Sequence, residues 1–196
     1  MTGVGTYTTS WTYNSADGLK TMTYPNGEVV TYNYLNQLLP NTMTGMDSTQ
    51  YVSGSQYDAA GRSKLRSLGN SQRTTFTYYP WTDQGGRLNT LRTGTSGDPA
   101  QRQSLEYQYD NVGNITGIVD YLAPGGGTQI QTFSYDEVHR LTSAHASGGN
   151  QGIYGLENYD YDSDTGNLDT KAELNLTYSA TQQSKPHAVQ RVFESG

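Results

Sequence analysis

Stretches in which aromatic or apolar residues alternate with other residues recur along the whole chain. A period of two residues predicts β-strands that each present one aromatic face. No stretch with a 3.6-residue period runs longer than about ten residues, so the pattern predicts no long helix. The alternating positions are Tyr7, Thr9, Trp11 and Tyr13; Val30, Tyr32 and Tyr34; Leu105, Tyr107 and Tyr109; and Leu174, Leu176 and Tyr178.

The strands are arranged in a degenerate repeat. An aromatic residue, often followed by Asp, precedes each of seven turns, and most of these turns contain Gly or Asn. The repeat units begin near positions 13, 34, 57, 79, 109, 135 and 161, at spacings of 21 to 30 residues. Residues 1–196 are therefore interpreted as one array of antiparallel hairpins without separate domains.

Each repeat has a physical interpretation at its turn. The Asp side chain is expected to accept hydrogen bonds from backbone N–H groups two or three residues further on. A Gly follows where the turn requires a positive φ. The first two units depart from the pattern, with Asn14 and Leu35 in place of Asp. The signature residues are Tyr57, Asp58, Gly61, Tyr109, Asp110, Gly113, Tyr135, Asp136, Tyr161, Asp162 and Gly166.

Composition narrows the class of protein. A formal charge of only −6 together with 17 Tyr residues argues against disorder, and the sequence pI of 4.9 argues against binding to a nucleic-acid backbone. The absence of Cys excludes disulfides, thiolate catalysis and Cys-based zinc sites. No apolar run approaches the ~20 residues that span a bilayer. Met1–Ser10 contains no signal-peptide core, so an export signal is expected outside this sequence.

The sequence offers weak signals for catalysis or metal binding. Asp160, Asp162 and Asp164 suggest a calcium loop, but its sixth and twelfth positions hold Thr165 and Lys171 instead of Gly and Glu. A looser calcium site stays open.

The chain contains three histidines, His139, His145 and His187. None of them has the spacing of a metal site or belongs to a recognisable catalytic triad. No cofactor is predicted, and the chain is not expected to be an enzyme.

The tyrosine-rich face supports two interpretations. Cross-strand aromatic packing explains a Tyr at every hairpin, because the ring is buried while the hydroxyl stays near the sheet surface. The alternative is a carbohydrate-binding or cell-surface adhesion module that uses exposed aromatic side chains. Trp81, beside Pro80 in an expected loop, and Trp11 are the candidate surface contacts.

The turn segments YDAAGR, YDNVGNI, YDEVHRL and YDSDTGNL resemble the YD repeats of Rhs proteins, wall-associated proteins, Tc-toxin components and teneurins. Three further segments strengthen the resemblance: Tyr24–Gly27, Tyr79–Trp81 with Gly85–Leu88, and Lys185–Val189. The resemblance implies a β-sheet strip that coils into a shell around a toxic polypeptide, in a secreted or cell-surface bacterial protein. The family's self-cleaving Asp would lie beyond Gly196, so no such residue is assigned.

Seven hairpins supply about 14 strands, too few to close a shell around a protein. The expected fold is therefore all-β, a curved, coiling open sheet of tandem hairpins, or a partial β-shell. Its open edges could pair with the remainder of a longer Rhs chain, or with other copies to form a filament or tube. Both structural roles, and the glycan-binding alternative, stay open at this point. No nucleic-acid partner and no membrane span are expected.

Overall fold

The computed structural model describes residues 6–178 and 187–194. Within these ranges the chain is almost entirely β-structure, with short 3-10 turns at Asn36–Leu38 and Gln84–Gly86. The strands are β1 (Ser10–Tyr13), β2 (Leu19–Thr23), β3 (Val29–Tyr34), β4 (Pro40–Gly45), β5 (Gln50–Tyr57), β6 (Ser63–Leu68), β7 (Arg73–Tyr78), β8 (Leu88–Gly94), β9 (Gln103–Tyr109), β10 (Ile115–Asp120), β11 (Gln129–Tyr135), β12 (Leu141–Gly148), β13 (Tyr154–Tyr161), β14 (Leu168–Lys171), β15 (Leu174–Tyr178) and β16 (Val189–Glu194).

The hydrogen-bonded order of the strands is the order of the sequence, from β1 to β16, in one open antiparallel sheet. This confirms the prediction of an all-β fold built from tandem antiparallel hairpins. The described residues hold 16 strands where about 14 were expected. The additional pair is β15 and β16, which pair antiparallel as an eighth hairpin. Residues 179–186, between these two strands, lie outside the described ranges. Lys185 and Pro186 of the family-like segment also lie there.

Contacts along the chain define two compact units. Unit 1 comprises Met1–Tyr78 and Thr90–Ser104, and unit 2 comprises Tyr79–Asn89 and Leu105–Gly196. Unit 1 contains β1 to β7 and most of β8, whereas unit 2 contains most of β9 and all of β10 to β16.

A β-bulge accompanies the tyrosine end of the hairpins. In the first hairpin Thr12 pairs with Thr21 and Tyr13 pairs with Leu19, so that Lys20 is left without a cross-strand partner. The same shift occurs in six further hairpins, always at the second residue of the returning strand. A bulge of this kind interrupts the ladder and increases the local twist. The residues left over in those hairpins are Asn41, Lys64, Thr116, Thr142, Asp169 and Gln190, which are all polar.

Few side chains in the described residues are fully buried. The buried apolar residues are Val30, Ala123, Ala144 and Ala146, and no large side chain is buried completely. The two faces of the strands nevertheless differ. On β11, Phe133 and Tyr135 are half-buried, and they face Ala144 and Leu141 across the β11–β12 pair. Packing between cross-strand neighbours on one face thus replaces a large core.

Candidate functional site: the tyrosine–aspartate turns

The Asp58 carboxylate closes the turn between β5 and β6. Its Oδ1 atom accepts hydrogen bonds from the backbone N–H groups of Ala60 and Arg62, each at 2.9 Å. The backbone of Asp58 also bonds both ways across the turn, to the Arg62 carbonyl at 2.9 Å and from the Gly61 N–H at 3.0 Å. Gly61 has the positive φ expected there, +78°. One side chain therefore fixes the whole turn.

Three other Asp residues form turns of the same kind. Asp110 and Asp136 accept backbone N–H bonds at 2.7–3.1 Å. Asp162 accepts two at 2.6 and 3.1 Å, in a turn that is one residue longer. Gly113 and Gly166 have φ of +104° and +72° at the corresponding positions.

In the Asp136 turn, the residue in the left-handed position is His139, with φ of +66°. This conformation is costly for a residue with a Cβ atom. His139 is therefore a turn residue.

The first two repeat units show which property of Asp matters. Asn14 Oδ1 accepts the N–H groups of Ala16 and Gly18 at 2.9 Å, so Asn performs the function of Asp in this turn. Leu35 keeps the backbone bond, donating its N–H to the Leu39 carbonyl at 2.8 Å, but it has no side-chain acceptor. The backbone bond across the turn is thus the common element, and where a side-chain oxygen is present it needs no negative charge.

The tyrosine before the turn contacts the preceding hairpin. The Tyr135 hydroxyl, at the end of β11, donates to the Ile115 carbonyl at the start of β10 at 2.8 Å. Pairing between β10 and β11 stops at Gly117 and Thr132, so Ile115 has no partner in that ladder. The hydroxyl therefore satisfies a carbonyl that lies just before the bulge.

This hydroxyl–carbonyl bond occurs in six hairpins and links each of those six to the preceding one. The distance from the hydroxyl oxygen to the carbonyl oxygen is 2.8–3.0 Å for Tyr34, Tyr78, Tyr161 and Tyr178. The other pairs are Tyr34 with Leu19, Tyr57 with Pro40, Tyr78 with Ser63, Tyr161 with Leu141, and Tyr178 with Leu168.

The fourth repeat unit differs in its register. Tyr78 makes the carbonyl bond, and Tyr79 occupies the position of Asp, with its N–H bonded to the Arg87 carbonyl at 2.9 Å. The repeat thus starts one residue before the sequence-based position near 79. The Tyr79 hydroxyl donates to the Tyr107 carbonyl at 2.9 Å, and its ring meets Tyr109 edge to face with centroids 6.3 Å apart.

Arginine strengthens two of the links between hairpins. Arg62 Nε lies 2.7 Å from Asp58 Oδ2, and its guanidinium carbon is 4.2 Å from the ring centroid of Tyr78 in the next hairpin. Arg140 repeats this arrangement with Asp136 at 2.6 Å and Tyr161 at 4.4 Å. Each arginine combines an ion pair in its own turn with a cation–π contact to the following repeat.

The turn bonds perturb the carboxylates. Hydrogen bonds from Arg62 lower the pKa of Asp58, and those from Arg140 lower the pKa of Asp136, against an opposing effect of partial burial. The Thr165 hydroxyl and N–H lower the pKa of Asp162. Burial raises the pKa of Asp110, but bonds from Asn114 and Gly113 outweigh it, so that its pKa is also lowered. All four carboxylates are therefore held in the ionised form by the turns.

The candidate calcium residues are divided between different tasks. Asp162 closes its turn, while Asp160 Oδ2 accepts a bond from the Thr170 hydroxyl at 2.9 Å. Within residues 6–178 and 187–194, no three acidic, His or Cys side chains cluster as metal ligands. His139 Nδ1 lies 3.1 Å from Asn114 Nδ2, which links two neighbouring turns.

Both tryptophans lie at the surface. Trp81 is 65% exposed in the loop that follows Tyr79, and Trp11 on β1 is 52% exposed. The Trp81 loop is closed by bonds from the N–H groups of Asp83 and Gly86 to the Pro80 carbonyl, at 3.0 and 3.3 Å. The described part of the chain contains no helix long and apolar enough to cross a membrane.

Solved structures of Tc toxins have a similar fold. The structure of TcdB2-TccC3 without its hypervariable C-terminal region aligns with a TM-score of 0.58 and 18% identity. TcdB2-TccC3 and the Tc holotoxin pore of Photorhabdus luminescens both align with a TM-score of 0.54, at 20% and 19% identity. Each alignment covers 95% of this chain but 12% of the other, so the likeness concerns the fold. No family model and no curated protein matches the sequence.

Replacing Tyr135 by Phe keeps the ring and removes the hydroxyl bond to Ile115. We expect the free energy of unfolding to fall by about 1 kcal/mol, the usual net contribution of one hydrogen bond. Urea titration measures the change. Tyr13→Phe is the matched control, because the Tyr13 side chain is 60% exposed and makes no hydrogen bond within the described residues. Equal urea midpoints for Tyr135→Phe and the parent chain would contradict the role of the hydroxyl.

The turn carboxylates predict a loss of stability in acid. Because the pKa of Asp136 is lower in the folded chain than the unfolded value of about 3.9, its contribution is complete above that value. It is lost as the pH falls through the folded pKa. Asp136→Asn should therefore show a smaller decrease in melting temperature between pH 7 and pH 3 than the parent chain, since Asn14 shows that an amide can close this turn. Parallel decreases would contradict the prediction.

Proposed function

We propose that this chain is a structural, non-enzymatic module that forms part of the wall of a larger extracellular β-sheet shell, of the kind to which the YD repeats point. The observation that carries the proposal is the chain of hydroxyl–carbonyl bonds between successive hairpins. Six hairpins are tied to the preceding one by a tyrosine, and Tyr79 ties the fourth hairpin to the fifth. A sheet of this kind therefore grows by adding hairpins and needs no second layer.

The chemistry of the turns supports a structural role. The Asp carboxylates are the most regularly spaced acidic groups in the sequence, and backbone N–H groups already occupy them. A carboxylate held in this way is poorly suited to act as a general base, which needs a free lone pair directed at a substrate. Six tyrosine hydroxyls of the repeats are likewise engaged by carbonyl groups.

The comparisons support placement in a longer polypeptide. The chain spans 12% of the Tc-toxin chains with which it aligns, and one of these belongs to a structure described as a holotoxin pore. The fold would then be one segment of an extended wall, in a secreted protein whose shell encloses a toxic polypeptide. Encapsulation and secretion belong to the proposal and rest on this likeness and on the YD segments.

The edges of the sheet provide a test. Among the described residues β1 pairs with β2 and β16 pairs with β15, and every residue of both outer strands is exposed. A wall segment without its neighbouring strands should associate irregularly through these edges, because unpaired strand edges template further pairing. Sedimentation velocity over a range of concentrations, with negative-stain electron microscopy, measures this. Val192→Lys, which adds a charge to β16, should weaken the association.

The outcomes distinguish the structural roles. Irregular, concentration-dependent association supports the wall segment. Long regular particles would instead favour a self-assembling filament or tube. A monodisperse species of 21.5 kDa at all concentrations would contradict both roles.

Glycan binding or adhesion is the second candidate function, and the exposure of Trp81 in a hydrogen-bonded loop favours it. An exposed aromatic ring can stack on a sugar and dominate the affinity of a small contact. A glycan array should then give signals that Trp81→Ala reduces at least tenfold. Signals that persist in Trp81→Ala, or an empty array, would count against this candidate.

A further inference from the structure

Unit 1 contains a polar cavity at the ends of the hairpins opposite the Tyr–Asp turns. Its volume is about 490 Å³, within the range of small-molecule sites. Serine and glutamine side chains and one guanidinium dominate its lining, and no carboxylate lines it. Its lining includes Ser53, Ser67, Ser71, Ser96, Gln72 and Arg73.

Irregular backbone brings these side chains together. The register between β5 and β6 shifts between Val52 and Gly54, so Ser53 is an additional residue on its strand. Bulges re-aim side chains in this manner and are common beside functional sites. In the turn from β6 to β7, Ser71 has a left-handed φ of +66°. Ser96 reaches the same cavity from the loop after β8.

Within the described ranges, no acidic side chain balances the positive charge of Arg73 at the cavity. Arg73 is half-buried, and none of the described carboxylates lies within ion-pair distance of it. Gln72 Oε1 is shielded from solvent and has no donor in the described part of the chain. A buried acceptor without a partner is rare in proteins because it loses its hydrogen bonds to water. The cavity is thus lined by an unpaired cation and by a glutamine whose shielded side-chain oxygen lacks a donor.

We propose that this cavity binds an acidic sugar. The carboxylate of the sugar pairs with the planar guanidinium of Arg73, which can form two parallel hydrogen bonds to it. The sugar hydroxyls bond to the serine side chains, which donate and accept equally well. One hydroxyl donates to Gln72 Oε1 after rotation of that side chain toward the cavity. This site is independent of the proposed wall function and uses none of the Tyr–Asp turns.

The charge balance favours one acidic group on the ligand. A single arginine faces the cavity, and the chain carries a formal charge of −6, which repels polyanions such as nucleic acids. A neutral sugar would leave the arginine unpaired, and a bare inorganic anion would leave the hydroxyl-rich lining unused.

The test is a titration of the full ¹⁵N-labelled chain with glucuronate, followed by backbone amide shifts. We expect saturable shifts at Ser53, Ser71, Gln72 and Ser96. Glucose and inorganic sulfate are the comparison probes, and each should bind at least tenfold more weakly. Sulfate binding as tightly as glucuronate, or glucose doing so, would overturn the assignment of an acidic sugar.

Variants locate the site. Arg73→Gln should weaken glucuronate binding at least tenfold, and Gln72→Ala should weaken it several-fold. Arg66→Gln is the matched control, because Arg66 is exposed on the neighbouring strand β6 and does not line the cavity. Circular dichroism confirms that each variant folds. The absence of saturable shifts in the parent chain, or equal affinities of Arg73→Gln and Arg66→Gln, would overturn the proposal.

Discussion

A backbone carbonyl next to a bulge is the constraint on which the structure depends. In the hairpin β9–β10, the returning strand β10 begins with Ile115. The carbonyl of Ile115 lies beyond Gly117, the last residue of β10 that pairs with β11. A peptide carbonyl without a donor costs free energy, and a bulge makes this situation recur in seven of the hairpins. The tyrosine hydroxyl of the following hairpin supplies the donor. Tyr is suited to this role because its ring spans the gap and its hydroxyl lies at the far end.

This constraint explains how a sheet with little buried apolar surface can hold together. Val30 and three alanines form the buried apolar set of the described residues, so packing behind the sheet contributes little. Stability comes instead from strand pairing, from carboxylates that fix the turns, and from bonds that join consecutive hairpins. Each of these interactions is local in sequence, which favours a fold that extends by repetition.

Much of this arrangement was predictable from the sequence. The Tyr–Asp segments predicted hairpins with Asp-closed turns, and the glycines predicted the positive φ found at Gly61 and Gly113. The tyrosine bond to the preceding hairpin was missed, because a period of two shows which face a ring occupies but not what its hydroxyl contacts. Tyr178 was also missed as the tyrosine of an eighth repeat unit, since Ser179 follows it in place of Asp.

Three other features of the structure could not be predicted from the repeat pattern. Asn14 closes its turn because an amide oxygen accepts the same backbone bonds, an equivalence the repeat pattern had counted as a departure. The adjacent Tyr78 and Tyr79 gave no indication of which one ends the strand, and the contact with Ser63 decides it. The polar cavity around Arg73 had no sequence signal, because a bulge, a turn and a distant loop assemble it.

The most direct test of the account is native-state hydrogen exchange of Tyr161→Phe compared with the parent chain. Tyr161 ends β13, and its hydroxyl bonds to Leu141 at the start of β12. We expect faster exchange at the amides of His139 and Arg140, in the turn of the preceding hairpin, as well as in the turn after Tyr161. Faster exchange confined to residues 162–168, with the preceding turn unchanged, would contradict it.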